Sequence, residues 1–134
     1  MGCAARPLSE VARDLGDLDA DVRASAAETL EDAARDKKDL PNDVVEALLY
    51  RAAVETDLET RASIARALGE TGDARAKEVL DAYARTDDPE QREVASIALQ
   101  TWSIRSGRVK PGHVFAADWP YGTEAYPPKL AAKK

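Results

Sequence analysis

Arg61-Ala-Ser-Ile-Ala-Arg-Ala-Leu68 is one of three versions of a single phrase, the others being Arg23-Ala-Ser-Ala-Ala-Glu-Thr-Leu30 and Arg92-Glu-Val-Ala-Ser-Ile-Ala-Leu99. In each an arginine leads, small or apolar residues follow three and four places on, and a leucine closes the phrase at the seventh. That spacing is two turns of one helical face. The phrases start 38 and 31 residues apart, a period that specifies stacked helical repeats rather than a globule around a central pocket.

The punctuation between the phrases supplies the remaining helices. Leu8, Val11, Ala12 and Leu15 predict a short amphipathic helix that Gly16 ends. Asp19 caps a second helix over about 20–35, with Asp21 and Arg35 placed favourably for its dipole. After the polar loop Asp36-Lys-Lys-Asp-Leu-Pro41 comes a third helix over about 42–55, burying Val44, Val45, Leu48, Leu49 and Ala52. Thr56 and Glu59 have the spacing of a capping box for the fourth, and Gly69 and Gly72 close it. Asp73 opens the fifth, with Val79, Leu80 and Tyr83 inward, and Asp88-Pro89-Glu90-Gln91 starts a sixth that runs to about Ile104. Three helix pairs result, at about 8–35, 42–69 and 73–104, forming one all-α domain over 1–104.

The wording of the phrases resembles HEAT-like repeats, of the short type also seen in phycobilisome-lyase-related proteins. There the second helix of each pair reads roughly Asp-Val-Arg, two variable places, Ala-Ala, one variable place, Ala-Leu. Asp21-Val22-Arg23 keeps the opening whole, whereas Thr60 and Gln91 replace the valine in the later copies. The resemblance covers about residues 8–104 and implies a right-handed α-solenoid. It also implies that Arg23, Arg61 and Arg92 serve the stack by pairing with an acid of a neighbouring turn or repeat, and Asp21, Asp57 and Asp88 stand within four residues of them. Small side chains let paired helices approach closely, and the 26 alanines suit that need.

After Ser106 the composition changes. Gly107, Pro111, Gly112, Pro120, Gly122, Pro127 and Pro128 forbid a long helix, yet Phe115, Trp119, Tyr121 and Tyr126 make four of the chain's seven aromatics. Aromatic side chains reward ordering by burial, so the 105–134 tail is expected to pack over Trp102 and Ile104 as an irregular cap. The alternative is a tail that docks a partner. Charge divides at the same boundary: residues 1–104 hold 13 basic and 23 acidic side chains, the tail 6 and 2.

An acidic body repels phosphate backbones, which argues against nucleic-acid binding, and attracts basic protein surfaces. The single cysteine, Cys3, rules out an internal disulfide and suits a reducing, cytoplasmic setting. No stretch approaches the roughly 20 apolar residues that span a bilayer. Gly2 and Cys3 are not read as lipidation sites, because Arg6 stands where a myristoylation signal has Ser or Thr. His113 has no second histidine and no nearby cysteine, and Gly-rich phosphate loops and nucleophile motifs are missing from the sequence, so neither catalysis, nor a metal, nor a cofactor is expected.

What remains is binding. The solvent sides of the second helices, which line the concave surface of such solenoids, carry Glu28, Glu31, Arg66, Glu70, Glu93, Ile97 and Gln100, and Trp119 joins them as a tail contact. Ile97 stands where the first two copies hold Glu28 and Arg66, an apolar side chain that wants the tail or a partner as cover. The sequence thus reads as a non-enzymatic protein-interaction module, a scaffold or adaptor whose acidic face receives a protein partner with a basic surface. Two further readings are an immunity or inhibitor protein for a basic toxin or nuclease, and a chromophore-lyase-like subunit acting with a second chain.

Overall fold

The computed structural model describes residues 6–37 and 39–115, with Lys37 described by its backbone alone. Six α-helices follow one another: α1 (Leu8–Arg13), continued by a 3₁₀ turn at Asp14–Gly16, α2 (Ala20–Lys37), α3 (Asn42–Val54), α4 (Leu58–Thr71), α5 (Ala76–Ala84) and α6 (Pro89–Arg105). Among the described residues there is no strand. The helices form two layers. α2, α4 and α6 lie side by side, α4 in the middle, and α1, α3 and α5 each cover their own partner from one side.

The register of the repeated phrase explains the core. Leu30, Leu68 and Leu99 are fully buried, as are Ala27, Ile64 and Ala95 from the same face. Trp102 adds the largest buried side chain, and its indole Nε1 donates to the Asp73 carbonyl at 2.8 Å. From the first layer come Val44, Leu48, Leu80 and Tyr83, the last donating its hydroxyl to the Ala52 carbonyl at 2.7 Å. Burial pushes the Tyr83 phenol up to about 12, although Arg61 beside it pulls the other way.

Two helix starts differ from their expectation. The cap of α4 is Asp57, not Thr56: Asp57 Oδ2 accepts from both the backbone N and the hydroxyl of Thr60. These bonds to its charged form lower its pKa. α5 begins at Ala76 rather than directly after Asp73, because the Asp73 side chain closes a turn onto the Arg75 N and pairs with the Arg75 guanidinium at 2.9 Å. α6 starts as expected, with Pro89 at its first position and Asp88 accepting from the Gln91 N. The Gln91 side chain, however, reaches across to the Leu58 carbonyl at 2.9 Å and so ties α6 to α4.

The two glycines expected to end α4 do different work. Gly72 is the left-handed C-cap, with φ 61°. Gly69 lies inside the helix, and a Cβ there would stand 2.6 Å from the Ala98 carbonyl oxygen of α6. Its missing side chain sets how closely the second and third repeats approach. Gly69→Ala should therefore cost about 1–3 kcal/mol, although alanine is the better helix former, because backbone must move to admit the methyl. Urea unfolding checks it, and a stabilised variant would show that α4 and α6 are not held this close.

The leading arginines do not pair as expected with Asp21, Asp57 and Asp88. Each instead bonds to backbone carbonyls five or six residues upstream, in the loop entering its helix. Arg23 Nη1 donates to the Asp17 and Leu18 carbonyls, Arg61 Nη1 to Glu55, and Arg92 Nη1 to Thr86 and Asp87. A long cation folded back on the loop binds oxygens that no helix bond uses, which explains why an arginine opens every copy.

In the first repeat the expected pairing with an acid of a neighbouring repeat does occur, with Glu55 rather than with an aspartate nearby. Glu55, in the loop between α3 and α4, has a side chain with no exposed surface. It accepts from Arg23 Nε at 2.7 Å and Nη2 at 2.9 Å, from Arg51 Nε at 2.9 Å, and from the Asp57 N at 3.0 Å. The position corresponding to Glu55 in the third repeat is Thr86, and there Arg61 lies over the Tyr83 ring instead, 4.1 Å from its centroid.

The described part of the tail lies against the last pair. Val109 is buried, Phe115 packs on the core from the edge, and the Arg108 guanidinium sits 4.6 Å from the Trp102 ring centroid. Trp119, Tyr121 and Tyr126 lie outside the described residues.

Candidate docking groove

The residues expected to form a contact face on the second helices separate into two groups. Glu31, Arg66 and Glu70 belong to a chain of charges that crosses the layer. Arg66 Nε is 3.7 Å from Glu31 Oε1, Arg35 Nη2 is 2.7 Å from Glu31 Oε2, Arg35 Nε is 3.5 Å from Glu70 Oε2, and Arg105 Nη2 is 2.9 Å from Glu70 Oε1. The chain links α2 to α4 and α4 to α6, so these side chains hold one another. Burial raises the Glu31 pKa even though Arg66 and Arg35 oppose it, so desolvation outweighs the pairing there. Glu28 is exposed on α2 and Gln100 half-buried on α6.

Glu93 and Ile97 are brought into a concavity. The N-terminal halves of α4 and α6 line a groove of about 590 Å³. Its floor is Leu58 and Ala62 from α4 with Val94 and Ile97 from α6. Leu58 and Ile97 are 54% and 53% exposed, which makes this a place where large apolar side chains from two repeats are offered to solvent together. Glu59, Asp88, Glu90 and Glu93 stand round it, and no basic residue lines it.

The local sequence explains the geometry. Asp57 and Asp88 cap the two helices at equivalent points, so the first turns of α4 and α6 open beside each other with an acid in each, Glu59 and Glu90. Helix starts favour acids, each bearing about +0.5 of a charge, so the two contribute roughly +1 against four carboxylates. The rim stays anionic by a wide margin. Leu58, Ala62 and Val94 carry no sign of this place in the sequence, and Glu59 and Glu90 stand out there only as helix-start residues. Only the pairing of α4 with α6 brings Leu58 into one groove with Ile97.

A larger concavity of about 760 Å³ lies at the other end of the layer, on the outer face of α2, lined by Leu8, Val22, Ala26 and Thr29 among others. Arg6 crosses it with its charge already engaged by Asp14 at 2.9 Å and Glu10 at 3.4 Å. It contains none of the expected contact residues. Among the described residues no cluster of His, Cys, Asp and Glu could hold a metal ion, and no helix is long and apolar enough to cross a membrane.

A family model for HEAT repeats matches residues 5–100. That span contains all three phrases and both walls of the groove, and it does not single out the phycobilisome-lyase-related type. Comparison with curated proteins and with solved structures gave no match.

Proposed function

Since the chain belongs to the HEAT-repeat family, whose repeats commonly mediate contacts between proteins, we propose that it is a non-enzymatic interaction module that docks a protein partner in the α4–α6 groove. The observation that carries this reading is the meeting of Leu58 and Ile97 across a groove ringed by carboxylates. Apolar anchors give a contact its affinity, and an anionic rim selects a basic partner and speeds its approach. The same rim repels nucleic-acid phosphates. Glu93 and Ile97 keep the role the sequence suggested for them. Glu31, Arg66 and Glu70 act in the stack instead, and reversing them would confuse binding with stability.

The test is capture on the immobilised full chain, with Glu59, Glu90 and Glu93 changed together to lysine as the comparison. A bound protein retained by the native chain should lose at least about tenfold in affinity with the variant, and lose affinity as salt rises from about 0.05 to 0.5 M. The variant should stay folded with a urea midpoint only slightly lower, since Glu59, Glu90 and Glu93 are exposed and only the first-turn Glu59 and Glu90 lose a favourable helix-dipole interaction, about 0.3–1 kcal/mol each. A partner held equally by both chains and indifferent to salt would move the docking surface elsewhere.

A further inference from the structure

Resting on the reading of the groove as a docking site, we infer that its occupant is one amphipathic helix, with an apolar stripe and lysine or arginine along both flanks. The walls decide the occupant's backbone form. Both are α-helices, which beyond their first turns keep their backbone N–H and C=O groups to themselves; at the helix starts the caps Asp57 and Asp88 take the Thr60 and Gln91 N–H groups, and the Leu58 carbonyl at the groove's end already accepts from Gln91 Nε2. An extended peptide pressed on this floor would lose water from its backbone and find no ladder of backbone partners to replace it. A helix brings its own hydrogen bonds.

The floor decides the side chains. Leu58 and Ala62 stand one turn apart on α4, Val94 and Ile97 three residues apart on α6, so two ridges flank one furrow. Side chains three and four apart on a third helix seat in such a furrow by the packing that joins any helices. The rim decides the charge: carboxylates stand on both sides, Glu59 on α4 and Glu90 and Glu93 on α6, with no cation among the lining residues to offset them. A helix with one basic flank would satisfy one wall only.

The experiment uses the full chain and three synthetic peptides of about 16 residues, a length of roughly 24 Å when helical. The first places Leu at helical spacing with Lys elsewhere. The second has the same composition with Leu and Lys alternating, which favours a strand. The third is the first with Glu for Lys. Binding is read by fluorescence anisotropy, and its location by amide chemical-shift changes in NMR spectra. The helical basic peptide should bind at least about tenfold more tightly than either control, shift resonances of Leu58–Ala62 and Glu90–Ile97, and lose about tenfold with Ile97→Asp. Equal binding of the alternating peptide at the same resonances would overturn the helical occupant and leave a basic partner in this groove standing. Binding that shifts only the outer face of α2, or no binding by any peptide, would overturn the groove itself.

Discussion

Glu55→Ala should destabilise the protein by about 3–5 kcal/mol, the range for removing one member of a buried, hydrogen-bonded charge cluster. The loss exceeds that of an ordinary salt bridge because Glu55 organises three groups together. Arg23 from the first repeat, Arg51 from α3 and the Asp57 N at the start of α4 all converge on it. Without the carboxylate, two guanidiniums that are 11% and 20% exposed lose the acid they share, and Arg23 keeps only the more distant Asp57 and Asp17. Glu55→Gln keeps the shape and should recover only part of the loss, since an amide cannot neutralise both cations. Chemical denaturation of both variants measures this.

The same cluster sets the acid limit of the fold. Burial drives the Glu55 pKa up, but hydrogen bonds from Arg23, Asp57 N and Arg51 outweigh it and hold the carboxyl at about 2, against 4.5 for a free glutamate. Because the folded value is the lower, the stabilisation is present in full above pH 4.5 and is lost as pH falls towards 2. Its size is about 3 kcal/mol. Asp57 and Asp73, also lowered, act in the same direction, whereas Glu31, raised by burial, acts against them. The native chain should therefore lose stability steeply below pH 4.5, and Glu55→Gln should flatten that loss. An unchanged acid profile in the variant would contradict the geometry of the cluster.

Trp102→Ala should cost a similar amount, about 3–5 kcal/mol, for a different reason. Trp102 is fully buried where α6, the Asp73 turn and the first residues of the tail meet. Truncation leaves a large void, strips the Asp73 carbonyl of its indole donor, and removes the ring beneath Arg108. The third repeat should loosen first. Hydrogen exchange should rise in α5 and α6 well before α2, in keeping with an array in which each repeat contacts its neighbours. Uniform loss of protection across all six helices would show a single cooperative core instead.

How far the sequence revealed this molecule depends on the distance between partners. The arginine-to-leucine phrase lies within eight residues, so Leu30, Leu68 and Leu99 could be assigned to the core without knowing what covers them. Caps are equally local, and Asp88 with Pro89 marked the start of α6. Asp57 is ambiguous in the sequence because Thr56 with Glu59 fits the capping pattern as well, and only the chain's path into α4 decides between them. Glu55 carries no such signal, since Arg23 lies 32 residues away and position 55 reads as the end of the third helix. The charge chain from Arg66 to Arg105 was hidden similarly, so Glu31 and Glu70 looked like free surface acids. Ile97 was legible because it breaks the pattern of its equivalents, Glu28 and Arg66. Leu58, which completes the groove, was not, because a leucine at a helix start gives no sign of which neighbour it will face.

The most direct measurement of the central claim is site-specific photocrosslinking to the captured partner. A photoreactive phenylalanine analogue is placed in the full chain at Ile97, in the groove, or at Tyr50, which is 67% exposed on α3 in the other layer. Docking between α4 and α6 predicts a covalent adduct from position 97 that excess helical basic peptide suppresses, and none from position 50. An adduct from position 50 with none from position 97 would place the partner on the first-helix layer and contradict the account.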